Sequence, residues 1–163
     1  MKKALVLAAL AAVVSSPALA APDSATASGS ATATVVAPIT LTHDAGAVLS
    51  FGSFTTGTTG GTVVVTRAGN GSATGDVTLV AGSTESSDSF TVTGDADRAF
   101  QVTALAGVVS NAGTDMAFVP NAALNHTLTG GSVQFRVGGT LTVLGTEPAG
   151  TYTGTYAVTA AYN

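Results

Sequence analysis

The run Gly150-Thr151-Tyr152-Thr153-Gly154-Thr155-Tyr156-Ala157-Val158-Thr159-Ala160-Ala161-Tyr162-Asn163 repeats with a period of two. Tyr152, Tyr156, Val158, Ala160 and Tyr162 fall on one parity, against Thr153, Thr155, Ala157, Thr159 and Ala161 on the other. Side chains of a β-strand point alternately to its two faces, so this pattern predicts a half-buried strand over 152–162, placed centrally in a sandwich. Gly154 lies on the apolar parity and leaves a gap, which predicts a bulge or a close backbone approach.

The same period governs residues 25–35. Ala25, Ala27, Gly29, Ala31, Ala33 and Val35 alternate with Thr26, Ser28, Ser30, Thr32 and Thr34, and a strand is expected there too. Between these two stretches, runs rich in Val, Thr and Phe predict strands at 39–42, 48–51, 62–66, 76–80, 89–93, 100–105, 116–119, 126–129, 133–137 and 140–144. Glycine-rich punctuation at 57–61, 68–71, 94–95, 111–113, 130–131, 138–139 and 145–150 reads as turns. Short strands separated by frequent turn signals predict an all-β fold, an immunoglobulin-like sandwich of about eight or nine strands.

Composition narrows the function classes. The 163 residues are 45% hydrophobic and only 9% charged, where an average domain carries roughly 25% charged residues. Threonine alone accounts for 27 positions. Disordered chains have the opposite balance of charge and hydrophobicity. A formal charge of −4 argues against a nucleic-acid partner, which needs a basic surface. With no Cys there is neither a disulfide framework nor a thiolate metal site.

The first twenty residues have the form of a signal peptide. Lys2 and Lys3 precede an apolar run from Ala4 to Val14, and Ala18-Leu19-Ala20 supplies the small-residue cleavage pattern. Eleven apolar residues are too few to span a bilayer as a helix, so no stable membrane insertion is expected. The expected organisation is a signal peptide over 1–20 and one β-sandwich domain over 21–163, with 21–36 as an N-terminal extension. The exported chain would keep only Arg67, Arg98 and Arg136 against nine acids. Its expected location is the periplasm, the cell surface or the medium.

Catalytic chemistry finds few candidates. His43 and His126 are the two histidines, and no G-x-S-x-G elbow accompanies them. They read as surface or strand-end residues. Asp95-Ala96-Asp97 could contribute to a weak calcium loop, but the terminal Glu of an EF-hand is missing, and Arg98 beside the pair favours a neutralised turn. Gly69-Asn70-Gly71-Ser72-Ala73-Thr74-Gly75 nearly matches a phosphate-binding fingerprint, but lacks the strand-to-helix setting and reads as a hairpin loop. The expectation is a protein without catalytic residues, metal or cofactor.

Two resemblances follow from the quoted segments. The C-terminal stretch, with Tyr162 next to last, Gly150 fourteenth from the end and alternating apolar residues between, resembles subunits of chaperone–usher pili, including the spore-coat-U-like type. That resemblance implies assembly by β-strand addition, in which an incomplete sandwich is completed by a neighbour's N-terminal extension. It implies as partners a periplasmic chaperone or copies of the chain itself. On it, Ala25, Ala27, Ala31, Ala33 and Val35 belong to the added strand. Gly150, Tyr152, Tyr156, Val158, Ala160 and Tyr162 mark the assembly strand, with the face from Tyr156 to Tyr162 lining the receiving groove. Such pilins usually carry a disulfide, absent here, and bulky donor-strand anchors where this chain has Ala and Gly.

The second resemblance covers most of the chain. Residues 31–39, 49–54, 61–63, 137–143 and 150–154, which read ATATVVAPI, LSFGSF, GTV, VGGTLTV and GTYTG, resemble the exported bacterial domain of unknown function 4402. The functional expectation is a structural, pilin-like surface subunit. The alternative is a self-complete monomeric sandwich that binds a ligand or polysaccharide through its loops.

Overall fold

A computed structural model describes residues 24–163. The expected signal peptide and the cleavage before Ala21 lie outside the described residues. The chain divides into two units, Met1–Thr34 and Val35–Asn163. The strand expected over 25–35 does not form. Its alternation is of Ala and Gly with Ser and Thr, which bury little apolar area and favour extended pairing only weakly. A period of two can be satisfied only by a neighbouring strand.

In the second unit the segments fold as expected in class: an all-β sandwich built from sheets of eight and three strands. The strands are β1 (Thr40–His43), β2 (Phe54–Val65), β3 (Gly71–Leu79), β4 (Asp88–Thr93), β5 (Ala99–Ala104), β6 (Gly107–Asn111), β7 (Thr114–Ala122), β8 (Asn125–Thr127), β9 (Ser132–Val143), β10 (Thr153–Thr155) and β11 (Val158–Tyr162). That makes eleven strands, two of them only three residues long.

β9 is the spine. Its first half pairs with β4, beyond which lies β1, and its second half pairs with β2, beyond which lies β3. Its other edge pairs with β7, followed by β6 and β10. The turn expected at Gly138-Gly139 is absent, and the strands expected on either side of it are one strand. Glycine is needed here because β9 changes partner at this point. A Cβ on Gly138 would overlap the Val65 carbonyl oxygen. Residues 57–61 likewise lie inside β2, where a bulge between Thr56 and Gly61 absorbs the glycines. The strand expected at 48–51 reduces to one bridge, Ser50 to Ser86. The segment instead sends Leu49 and Phe51 into the core.

Alternation along these strands builds two cores. The first gathers Phe51, Val63, Val65, Val77, Met116, Phe118, Leu141 and Val143, all from the eight-stranded sheet and the segment leading into it, so the sheet curls around its own side chains. The second sandwiches Phe90, Val92, Phe135 and Val137 of β4 and β9 against Phe100 and Val102 of β5. Tyr156 packs against both.

Candidate functional site

The C-terminal run is two strands in two sheets, not the single central strand its alternation predicts. β10 pairs with β6 and closes one side of the eight-stranded sheet. β11 pairs with β5 at the side of the three-stranded sheet. Between them the chain crosses from one core to the other at Tyr156. The apolar parity does face inward: Tyr152 packs on the first core, and Val158, Ala160 and Tyr162 on the second. Gly154 is where β10 approaches β6 most closely, since a Cβ there would overlap the Val108 carbonyl oxygen. Gly150 sits against the Asn111 side chain in the loop before β10.

Two tyrosine hydroxyls hold this arm. The Tyr162 hydroxyl accepts the Asp95 N–H at 2.6 Å and donates to the Ala37 carbonyl at 3.0 Å. It thereby ties the C-terminal strand to the β4–β5 turn and to the segment entering β1. The Arg98 guanidinium lies over its ring, 5.4 Å from the centroid. Tyr156 donates to Asp88 at 2.8 Å. Asp88 is only 5% exposed; its Oδ2 takes the Tyr156 hydroxyl, while its Oδ1 accepts the Ser89 N–H and lies 2.7 Å from His43 Nε2. Burial and the adjacent Asp88 carboxylate push the Tyr156 phenol above its ordinary range.

His43 and Tyr156 stand out in the sequence as a histidine and as part of the C-terminal run, whereas no motif or spacing marks Asp88 as the residue they share. A signal was present, because Asp88 shares strand parity with Phe90 and Val92 and must therefore point inward with them. Asp44, just after β1, accepts from Ser89, from Thr91 at 2.7 Å and from Gln134 at 2.7 Å, and these bonds lower its carboxyl below the ordinary value.

The remaining candidates fall into structural roles. His126 stacks on Phe100 with ring centroids 5.2 Å apart and bonds to the Ala123 carbonyl. Arg98 pairs with Asp95 at 3.1 Å. Among the described residues no group of three or more His, Cys, Asp or Glu gathers that could hold a metal ion. No helix among them is long and apolar enough to cross a membrane.

The face from Tyr156 to Tyr162, expected to line a receiving groove, is already packed against β4 and β5. An open groove of 760 Å³ lies elsewhere, beside Tyr152. Residues 48–56 form one wall, residues 147–154 the other, and Val109, Met116, Leu141 and Val143 the floor.

Residues 39–162 match the family model of the domain of unknown function DUF4402. The chain belongs to this family. No curated protein and no solved structure matches it. The match begins at Ile39, one residue before β1, and ends at Tyr162, the last residue of β11. The DUF4402 region therefore contains both cores and the groove, and residues 25–35 precede it.

Proposed function

We propose that this DUF4402 chain is an exported structural subunit that joins its neighbours by β-strand addition. The observation that carries the reading is the chemistry of the sheet margins. β1, β8, β10 and β11, which end the two sheets, contain no Lys, Arg, Asp or Glu, and β3 contains Asp76 alone. Sheets that remain solitary usually protect such strands with charge, proline or a covering element, because unpaired N–H and C=O groups template pairing with another chain. An uncharged margin is suited to recruiting a strand. Residues 25–35 supply an alternating segment that forms no strand pairing among the described residues.

The test compares residues 21–163 with a form lacking 21–36, by size and by denaturant unfolding. The longer form is expected to give species larger than a monomer, visible as a ladder on an unheated denaturing gel, and the shorter form to lose them. Two equally stable monomers would overturn the reading.

A further inference from the structure

We infer that the groove beside Tyr152 is the acceptor for an incoming β-strand, and that its occupant is the segment 25–35 of a second copy of this chain. The inference rests on the strand-addition reading and gives it an address.

Geometry is the first argument. The groove runs between two unpaired strand margins. β10 pairs with β6 alone, and its Thr153 and Gly154 line the groove. Opposite them, Phe54, Thr55 and Thr56 pair with β3 alone, because β2 does not join β9 until Gly61. One extended segment laid between these margins meets main-chain donors and acceptors on both sides. It turns the curled order β3-β2-β9-β7-β6-β10 into a closed barrel, the arrangement that abolishes sheet edges.

Depth is the second argument. Of the floor residues, Met116, Leu141 and Val143 are 4%, 1% and 2% exposed, and Val109 is half-buried. A floor so largely closed favours small apolar side chains on the inward face of the occupant. Residues 25–35 present Ala25, Ala27, Gly29, Ala31 and Ala33 on one parity. The lack of bulky anchors matches a shallow acceptor.

Charge agrees. The segment has no ionisable side chain. The one carboxylate on the groove wall, Glu147, is occupied by the N–H groups of Leu144, Gly145 and Thr146. The choice of a second copy follows from where the chain enters the folded unit. The Ala37 carbonyl is held by Tyr162 in the second core, whereas the groove belongs to the first. The entry to the folded unit and the acceptor groove thus belong to different cores, and a neighbour's segment entering that groove makes a head-to-tail interface that propagates instead of closing as a dimer.

The chain has no Cys, so engineered thiols report contacts without background. In residues 21–163, the pair Ala31→Cys and Thr153→Cys should give on oxidation a series of disulfide-linked species beyond the dimer. Either change alone should stop at the dimer. The control pair Ala31→Cys and Thr103→Cys, with the second thiol on the exposed face of β5, should give far fewer species beyond the dimer. Ala31→Pro, which removes a strand N–H outside the folded unit, should abolish assembly of the otherwise unaltered chain and bring its thermal midpoint to that of the form lacking 21–36. A disulfide-linked monomer would overturn the second-copy assignment. Equal ladders from both pairs, or assembly that survives Ala31→Pro, would overturn the address while leaving strand addition standing. An unaltered chain that stays monomeric would remove both.

Discussion

The two cores are closed in different ways. The second is a two-layer sandwich whose gap is filled from the chain's own end: β11 supplies Val158, Ala160 and Tyr162, and the Tyr162 hydroxyl bolts that strand to two other segments. Its interior is aromatic, with Phe90 and Phe135 stacked at 5.7 Å and Phe100 stacked on His126. The first core has no equivalent closing strand. Its sheet curls round until β10 and the start of β2 face each other across the groove. The C-terminal run can complete only one core, because it leaves the first at Tyr156 to enter the second. Satisfying one interior leaves the other with unpaired margins.

Breaking this contrast should begin with the interiors. Phe100 and Leu141 are 0% and 1% exposed, one in each core. Phe100→Ala should cost about 3–5 kcal/mol and Leu141→Ala about 2–5 kcal/mol, the usual range when a buried side chain leaves a cavity. Urea unfolding measures both. Because β9 and Tyr156 contribute to each core, both variants should unfold in one transition seen alike by tyrosine fluorescence and far-ultraviolet dichroism. Separate transitions would mean that the cores are independent.

The junction comes next. Tyr156→Phe keeps the ring against Phe90 and Phe118 but withdraws a donor from the buried Asp88. Leaving a buried carboxylate short of a partner should cost about 1–3 kcal/mol in denaturant unfolding. A cost near zero would show that water replaces the hydroxyl. The ionisation of this phenol offers a second measurement. Its folded value is raised above the ordinary 10.0. The stability it contributes is therefore complete below pH 10 and lost as pH climbs toward the folded value. The alkaline fall of the unaltered protein should exceed that of Tyr156→Phe.

How much of this was legible in the sequence depends on what sets each feature. Strand character and the inward parity of Tyr152 through Tyr162 are local consequences of period two, and these could be read directly. The closeness at Gly154 was legible because an empty position on an apolar face needs a backbone neighbour to fill it. Glycine pairs misled where they lie inside strands. Gly138-Gly139 looks like a turn, but the site needs the missing Cβ so that β9 can pass β2. Whether 152–162 forms one strand or two depends on which sheets its halves meet, a long-range matter that periodicity does not record. The groove was invisible for the same reason: it exists between segments about a hundred residues apart.

Tyr162→Phe sharpens the contrast at smaller cost. It removes one acceptor for the Asp95 N–H and one donor to Ala37, in a partly exposed position, and should cost about 1–2 kcal/mol. Hydrogen exchange should rise in β11 and at the entry to β1, and stay unchanged in β10. Exchange rising equally in β10 would indicate that the bolt serves both cores.

The mildest probe is acid, because a carboxylate beside each core is held below its ordinary value. Asp44 lies beside the second core and is lowered first by Ser89, then by Thr91 and Gln134, which link it to β4 and β9. Glu147 lies beside the groove of the first, where burial alone would raise its carboxyl, but the N–H groups of the 144–147 turn outweigh burial and lower it. Both folded values lie below the unfolded ones. Each group therefore contributes stability that is present above the ordinary carboxylate range and lost as pH falls through the lowered folded value. The two differ in what their bonds span: Asp44 joins three strands, whereas Glu147 binds only its own turn. Asp44→Asn should flatten the acid limb of global unfolding below about pH 4. Glu147→Gln should leave that limb in place and change only local exchange at residues 144–146. If Glu147→Gln flattens the global limb as much as Asp44→Asn does, the rim of the first core is held as tightly as that of the second, and the groove is not the looser margin.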